Sequence, residues 1–209
     1  MNPNGVSIKI IDTNAKIEKN LLYAMEKDVK FAIQKAKSKI HSGIINLVVE
    51  ALSSSPEIAS LSSGKLKADF GLVSDPGQQI IYAIANSVEV VFRDFKMNRQ
   101  GVKSVLSVYI QPSDFTNLLS AEFAKVITDK GDELPWLSWL LTMGDSVIVS
   151  EFGVQYGNFP TSRSGMAVMK PIGVFKVDST FAGTIENNFI TRALDKYKNQ
   201  MSEIIGKSL

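Results

Sequence analysis

The hydrophobic residues between Asn14 and Leu52 recur every three or four positions. They are Ile17, Leu21, Met25, Val29, Ala32, Ala36, Ile40, Ile44, Leu47, Val48 and Ala51. This spacing puts them on one face of an α-helix, so the pattern predicts a single long N-terminal helix. Its length would be roughly 58 Å at 1.5 Å per residue, with Gly43 as a position that could interrupt it.

Shorter helices are predicted after this one. Ser55 can cap a new helix that has Pro56 at its first position. Three more short helices are expected over Gln78–Asn86, Pro112–Leu119 and Glu133–Leu141. Thr184 can cap a closing helix whose apolar positions share one face. Those positions are Phe189, Ala193, Tyr197, Met201, Ile204 and Ile205.

β-Strands are predicted in two regions of the chain. Val88–Phe95 and Val102–Ile110 are joined by a short polar loop, which predicts an antiparallel hairpin. Further strands are expected over Ser146–Tyr156, Met166–Met169 and Val174–Val177. Because helices and strands are segregated, the expected class is α+β, with a long N-terminal helix, an antiparallel sheet, flanking short helices and a C-terminal helix.

Residues 1–209 are expected to form a single α+β domain. The chain is long enough to bury a sizeable core, and no repeat or linker divides it. Val6–Ile11 is rich in β-formers, so residues 1–13 are interpreted as an arm or an edge strand. The absence of cysteine excludes disulfides and thiolate metal sites. With no secretory signal pattern and no long apolar run, the sequence predicts a soluble protein made in the cytosol.

The charge is modest but unevenly distributed. The formal net charge is +2, and only four of the 23 basic residues are arginine, which is unlike a strong nucleic-acid binder. Seven lysines and three acids nevertheless lie between Lys16 and Lys39. This lysine-rich side is either a solvated face or a surface that faces DNA or a partner. The candidates for such a surface are Lys30, Lys35 and Lys37.

Candidate catalytic residues are few and scattered. His41 is the single histidine, so a usual zinc site or a catalytic triad is not expected around it. Ser62 and Lys65 fit S-x-x-K, but the companion motifs of β-lactamases are missing. Asp132, Glu133 and Asp145 flank the tryptophan helix, where capping explains them more simply than acid–base chemistry. We therefore expect no enzymatic activity, no metal and no cofactor. A small hydrolase or a DNA-binding module using the first helix is the alternative.

Two segments are candidates for contacts between subunits. Trp136 and Trp139 share one helical face, which suits either the core or a subunit contact. Arg163 lies in a loop of glycine, proline and hydroxyl residues, Gly157–Gly165. There it could bind an anion or a carboxylate across an interface, although a solvated loop is equally consistent with this composition.

Three short motifs occur in a characteristic order. Ser63-Gly64-Lys65-Leu66-Lys67 follows the long helix, a tryptophan-containing segment ends in Gly144-Asp145, and Asn188-Phe189-x-x-Arg192-Ala193-Leu194 opens the closing helix. This order resembles tail-completion and neck (head-tail joining) virion proteins of long-tailed bacteriophages. The stretches SSPEIASLSSGKLKADFGL, LPWLSWLLTMGDSVIV, SRSGMAVM and FAGTIENNFITRAL also look like segments of phage virion proteins. Ile190-Thr191 departs from the Met-Arg or Met-Pro usual in that family.

The resemblance implies a non-enzymatic ring subunit in the virion, at the junction of neck and tail, synthesised in the host cytoplasm. Such rings, often hexameric, lie between the head connector and the tail tube, or cap the tube as tail terminators. The implied partners are other copies of the chain, the adjacent head-connector and tail proteins, and DNA that passes through the lumen; no membrane is involved. The implied subunit-interface candidates are Trp136, Trp139, Arg163, Phe189 and Arg192.

Helical spacing divides the last motif into two parts. Phe189 and Ala193 belong to the apolar stripe, so Phe189 is interpreted as an anchor that seats the last helix on the sheet. Arg192 lies at the polar margin and is expected to be available to a neighbouring subunit. On this interpretation, Arg192→Ala would spare the isolated fold and impair assembly.

Overall fold

The long first helix forms as the hydrophobic spacing predicts. In the structure, a computed structural model that describes residues 11–98 and 101–209, helix α1 spans Asn14–Ser53 without a break at Gly43. Thr13 caps it, with its hydroxyl accepting from the Lys16 amide at 3.4 Å. Buried side chains begin only at Ala36, so the first half of α1 is largely exposed and the second half enters the core. The predicted arm or edge strand over residues 1–13 lies almost wholly outside the described residues.

Within the described residues, five short α-helices lie between α1 and the C-terminal helices. Ser55 caps α2 as predicted, and the chain bends by 60° between α1 and α2. Gly71 ends α3 in the left-handed region, with φ of 62°. The helices are α2 (Pro56–Ser63), α3 (Lys65–Phe70), α4 (Gly77–Asn86), α5 (Thr116–Leu119) and α6 (Trp136–Thr142).

The predicted hairpin is confirmed. Strand β1 (Glu89–Asn98) pairs antiparallel with β2 (Gly101–Tyr109), with an irregularity between Arg93 and Lys96. Because side chains alternate across a strand, one face of the hairpin packs on the core and the other is open to solvent. The core-facing residues are Val90, Phe92, Leu106 and Val108.

Of the remaining predicted strands, Met166–Met169 forms with a shift of one residue, and the other two are shorter than predicted. Within the described residues the strands after the hairpin form two further antiparallel pairs rather than additions to it: β3 (Val126–Ile127) with β4 (Glu133–Leu134), and β5 (Gly153–Tyr156) with β6 (Ala167–Lys170). Only the end of Ser146–Tyr156 is a strand, and Val174–Val177 contributes a single bridge from Phe175 to Val149. The α+β class is as predicted, with the strand content divided among small sheets.

The closing helix differs from the prediction in two ways. It is divided at Tyr197 into α7 (Phe189–Lys196) and α8 (Lys198–Ser208). Its N-cap is Asn188, whereas Thr184 had been predicted. Thr184 instead makes a turn, in which its hydroxyl accepts from the Asn187 amide at 3.1 Å. A serine or threonine before an apolar stripe is an ambiguous start signal when an asparagine also lies upstream of the stripe.

One core joins the two ends of the chain. The second half of α1, α2, α4, α6 and α7 all contribute fully buried side chains to it. An aromatic cluster lies against this core, with the Phe70 and Trp136 ring centroids 5.4 Å apart and those of Trp139 and Phe175 6.2 Å apart. This core brings the three resemblance motifs into one packed unit.

Candidate functional site

An ion pair joins the start of α2 to the start of α7. Arg192 Nη2 lies 2.8 Å from Glu57 Oε1, and the Ser55 hydroxyl donates to Glu57 Oε2 at 2.8 Å. The Glu57 side chain is only 7% exposed, and that of Arg192 is 35% exposed. Both charged groups therefore have a partner within the chain, so Arg192 is not left unpaired as predicted. Because 35% of its side chain stays exposed, a contact with a neighbouring subunit stays a prediction.

Asn188 organises the segment before α7. Its side-chain oxygen accepts from the amides of Ile190 and Thr191 at 3.1 and 3.2 Å. The Thr191 hydroxyl accepts from the Asn188 amide at 2.9 Å, which completes a capping box. The side-chain nitrogen of Asn188, Nδ2, donates to the Thr184 carbonyl at 2.9 Å. These polar residues therefore fix the start of α7, and Asn188 is fully buried.

Two glycines connect this entry to the tryptophan helix. The Gly144 amide donates to the Gly183 carbonyl at 2.9 Å. A Cβ on Gly183 would lie 2.6 Å from Asn188 Cβ and 3.0 Å from the Leu140 carbonyl oxygen. Only glycine allows this approach, so the end of α6 and the start of α7 are held together by backbone contacts.

A second polar cluster joins α3 to β5. Lys65 Nζ donates to the Tyr156 hydroxyl at 2.5 Å, and that hydroxyl donates to Asp69 Oδ1. Lys65 Nζ also lies 3.7 Å from Asp69 Oδ2 and 3.6 Å from Asp178 Oδ2. Since Lys65 belongs to the Ser-Gly-Lys-Leu-Lys motif, this motif is bound to the last strand pair through one tyrosine.

The protonation of this cluster follows from burial and charge. Burial raises the pKa of Asp69, against the lowering effect of the Tyr156 and Lys65 hydrogen bonds and charge. Burial likewise raises the pKa of Tyr156. For Lys65 burial lowers the pKa, but the Tyr156 hydrogen bond and the charges of Asp69 and Asp178 outweigh it and raise the pKa overall. The Thr180 amide lowers the pKa of Asp178.

Arg163 lies beside the same region. Its guanidinium lies against Gly71, where a Cβ would be 3.1 Å from Nη2. Nη1 makes a long hydrogen bond, 3.5 Å, to the Ile127 carbonyl. A cavity of 210 Å³ next to it is lined by Asp69, Arg163 and Ser164 among others. An anion would meet the Asp69 carboxyl there as well as the guanidinium, so this cavity is a poor match for the predicted anion site.

Two of the predicted interface residues are interior. Trp136 is fully buried, and its indole N–H donates to the Phe123 carbonyl at 3.0 Å. Phe189 is also buried, in a core to which α1, α6 and the β1–β2 hairpin all contribute. A side chain enclosed by its own chain cannot contact a neighbouring subunit, which corrects the assignment of these two residues. Trp139 is half-buried.

The three lysines proposed to face DNA or a partner differ from one another. Lys30 is 2.5 Å from Glu26 Oε1 and lies 5.6 Å from the ring centroid of Phe95. Lys37 is half-buried, whereas Lys35 is exposed. Of the three, Lys35 is the most available to a ligand.

The residues considered for catalysis are not brought together. Ser62 donates to Asp75 Oδ2 at 2.7 Å, while Lys65 is held by Tyr156. His41 Nε2 lies 3.1 Å from the Val88 carbonyl oxygen, where it joins α1 to the start of β1. Glu133 pairs with Lys125 at 2.7 Å, and Asp145 with Lys176 at 3.5 Å. Each group has a structural partner of its own.

Two apolar surfaces remain open. One is a groove of 460 Å³ between the end of β2 and α7, whose apolar lining includes the exposed Ile185 and the half-buried Ile110 and Leu194. The other is the first half of α1, where Ile17, Leu21 and Met25 are exposed. Large apolar surfaces without cover are typical of interaction sites.

No protein-family model, curated protein or solved structure matches this chain. Across residues 11–98 and 101–209, no group of three or more histidine, aspartate or glutamate side chains is placed to hold a metal ion. Over the same residues no single helix could cross a membrane, although α1 and α2 together, bent by 60°, have the required length and composition.

Proposed function

We propose that this protein is a structural subunit of the neck or tail-completion ring of a long-tailed bacteriophage. Such a ring joins the head connector to the tail and lets DNA pass through its lumen. The partners would be further copies of the chain and the adjacent connector and tail proteins. The proposal rests on the order of three motifs that resemble this family.

The structure shows what the three motifs do within this chain. The three motifs are far apart in sequence, yet each is tied to another part of the chain by specific bonds: Lys65 to Tyr156, Gly144 to Gly183, and Arg192 to Glu57. Residues that maintain a fold are the ones expected to persist when surface residues of a structural family diverge. The motifs therefore act as framework residues within the chain, and in the proposed ring the exposed surfaces would supply most of the subunit contacts.

The open apolar surfaces suit a ring. Neighbours in a ring contact each other through two different patches, because the interface is heterologous. The exposed side of α1 and the groove beside α7 are two such patches on one chain. The small net charge of +2 also suits the passage of DNA, since a strongly cationic lumen would retain it.

The test is the location of the protein in particles. Purified virions of the phage that encodes the chain should contain it in a small fixed copy number by quantitative mass spectrometry. Labelling with a specific antibody should place it between head and tail in electron micrographs. Its absence from purified virions would refute the proposal, whatever the oligomeric state of the isolated protein.

A further inference from the structure

Lysine and aromatic residues occur at every fourth position along α1. The set, which we call the lysine–aromatic row, is Lys19, Tyr23, Lys27, Phe31, Lys35 and Lys39. Residues four apart are neighbours on a helix surface, so each side chain lies about 6 Å along the axis from the next. The row therefore forms a continuous ridge about 30 Å long.

Every member of the row is exposed. Tyr23 is 80% exposed and Phe31 is 74% exposed. Aromatic side chains usually contribute to cores, where they bury a large apolar area. Tyr23 and Phe31 are instead left in solvent, where their rings are free to stack on a ligand.

The lysines of the row are also uncommitted. Within the described residues none of the four forms an ion pair, whereas Lys16 and Lys30 pair with Asp12 and Glu26. Glu26 is thus already neutralised by Lys30. The other acids that flank the row are Glu18, next to Lys19, and Asp28, three residues before Phe31. The ridge keeps an excess of positive charge next to its aromatic rings.

We propose that the lysine–aromatic row binds single-stranded nucleic acid. The lysines would contact phosphates, and Tyr23 and Phe31 would stack on bases between them. This site is independent of the neck proposal, because it needs one copy of the chain and no ring.

The geometry favours a single strand over other polyanions. Residues four apart drift around an α-helix by about 40° per step, so the ridge winds as it advances. A flexible strand can follow a winding ridge, whereas a stiff duplex cannot, and its bases are stacked away from protein rings. An anionic membrane would favour lysines and aromatics on different faces rather than in alternation.

The experiment measures binding of the full chain to labelled oligonucleotides of about 20 nucleotides, longer than one binding site, by fluorescence anisotropy. Single-stranded DNA, RNA and a duplex of the same sequence are compared between about 50 and 200 mM salt. We expect single strands to bind more tightly than the duplex. Four phosphate contacts predict a slope of log K against log salt of about −2 to −3.

Two variants separate the contributions of rings and charges. Tyr23→Ala/Phe31→Ala should weaken binding of single strands by about 30-fold or more and leave duplex binding unchanged. Lys27→Gln/Lys35→Gln should weaken both and make the salt slope shallower by about 1. The matched controls are Tyr82→Ala, an aromatic that is 60% exposed on α4, and Lys130→Gln/Lys170→Gln, two exposed lysines outside α1. Circular dichroism checks that all variants are folded.

Several outcomes would overturn the proposal. They are the absence of measurable binding at the lowest salt, equal binding of duplex and single strand with no effect of the aromatic variants, and an equal loss in the control variants. Binding to anionic phospholipid vesicles without binding to oligonucleotides would assign the row to a membrane surface instead.

Discussion

Arg192 is the residue whose role changes most once its surroundings are known. Its guanidinium neutralises a glutamate that is almost wholly enclosed. We expect Arg192→Ala to lower the free energy of unfolding by roughly 2 kcal/mol or more, because the Glu57 charge would remain buried without its partner. Urea denaturation measures the change.

A double-mutant cycle tests that reason. Adding Glu57→Gln to Arg192→Ala removes the stranded charge, so the double variant should lose less stability than the sum of the single losses. Lys207→Ala is the control, because its pair with Glu203 is fully exposed and its loss should leave stability unchanged. Additive losses at positions 57 and 192 would show that the ion pair does not couple them.

Asp69 provides a pH-dependent prediction. Its pKa is raised in the folded protein by burial, so the native state binds its proton more tightly than the unfolded chain does. Stability should therefore fall as pH rises from the ordinary aspartate pKa through the folded value, and then stay level. Asp69→Asn lacks this loss and keeps an acceptor for Tyr156. The melting temperature of the variant, relative to that of the wild type, should therefore rise between about pH 3 and pH 7. A difference in melting temperature that does not change with pH would contradict the raised pKa of Asp69.

The sequence predicts which side of a helix is buried better than it predicts partners. Spacing correctly placed Phe189 and Ala193 in the apolar stripe, and both are buried. It could not find Glu57 as the partner of Arg192, because that contact spans 135 residues and depends on the tertiary fold. The Lys65–Asp69 pair could have been inferred from the sequence, since charges at positions i and i+4 are neighbours on a helix. Tyr156, which completes that cluster, carried no such signal.

At the scale of elements, glycines in α1 and α8 provide a matched comparison. Gly43 lies where α8 crosses α1, and a Cβ there would be 2.7 Å from Ile204 Cγ2. A Cβ on Gly206 meets nothing within 4 Å. Gly206→Ala should raise the free energy of unfolding by up to about 1 kcal/mol through helix propensity. Gly43→Ala should gain less or lose stability, because Ile204 must move. Chemical denaturation of both variants decides the matter, and equal gains would show that α8 does not press on α1.

The presence and type of most helices followed from local signals, while the lengths and ends of many elements did not. The long apolar stripe and the Ser55-Pro56 start correctly predicted α1 and α2. The start of α7 was misplaced because Thr184 and Asn188 are both good caps, and the buried capping box at Asn188 was decided by packing against Gly183. The strands over Ser146–Tyr156 and Val174–Val177 were predicted too long, since alternation alone does not supply a pairing partner.

At the scale of the whole molecule, the polar clusters stabilise the fold, whereas the open surfaces are available to other molecules. The ion pair at Arg192, the capping box and the Lys65 cluster all act within the chain. The first half of α1 contributes almost nothing to the core, yet it presents apolar side chains on one side and the lysine–aromatic row on another. A helix that long is therefore better explained by contacts outside the chain than by the stability of the fold.

That separation predicts how the apolar side of α1 behaves. Leu21 and Met25 are exposed, so Leu21→Ser/Met25→Ser should leave the free energy of unfolding nearly unchanged, as surface substitutions do. If the proposed ring uses this side, the variant should fail to form rings in electron micrographs and fail to enter virions when it replaces the wild-type chain. Val73→Ser, at an exposed apolar residue in the loop after α3, is the control and should assemble normally. Normal assembly of the α1 variant would remove this helix from the interface, and loss of assembly in both variants would show that the defect is not specific to it.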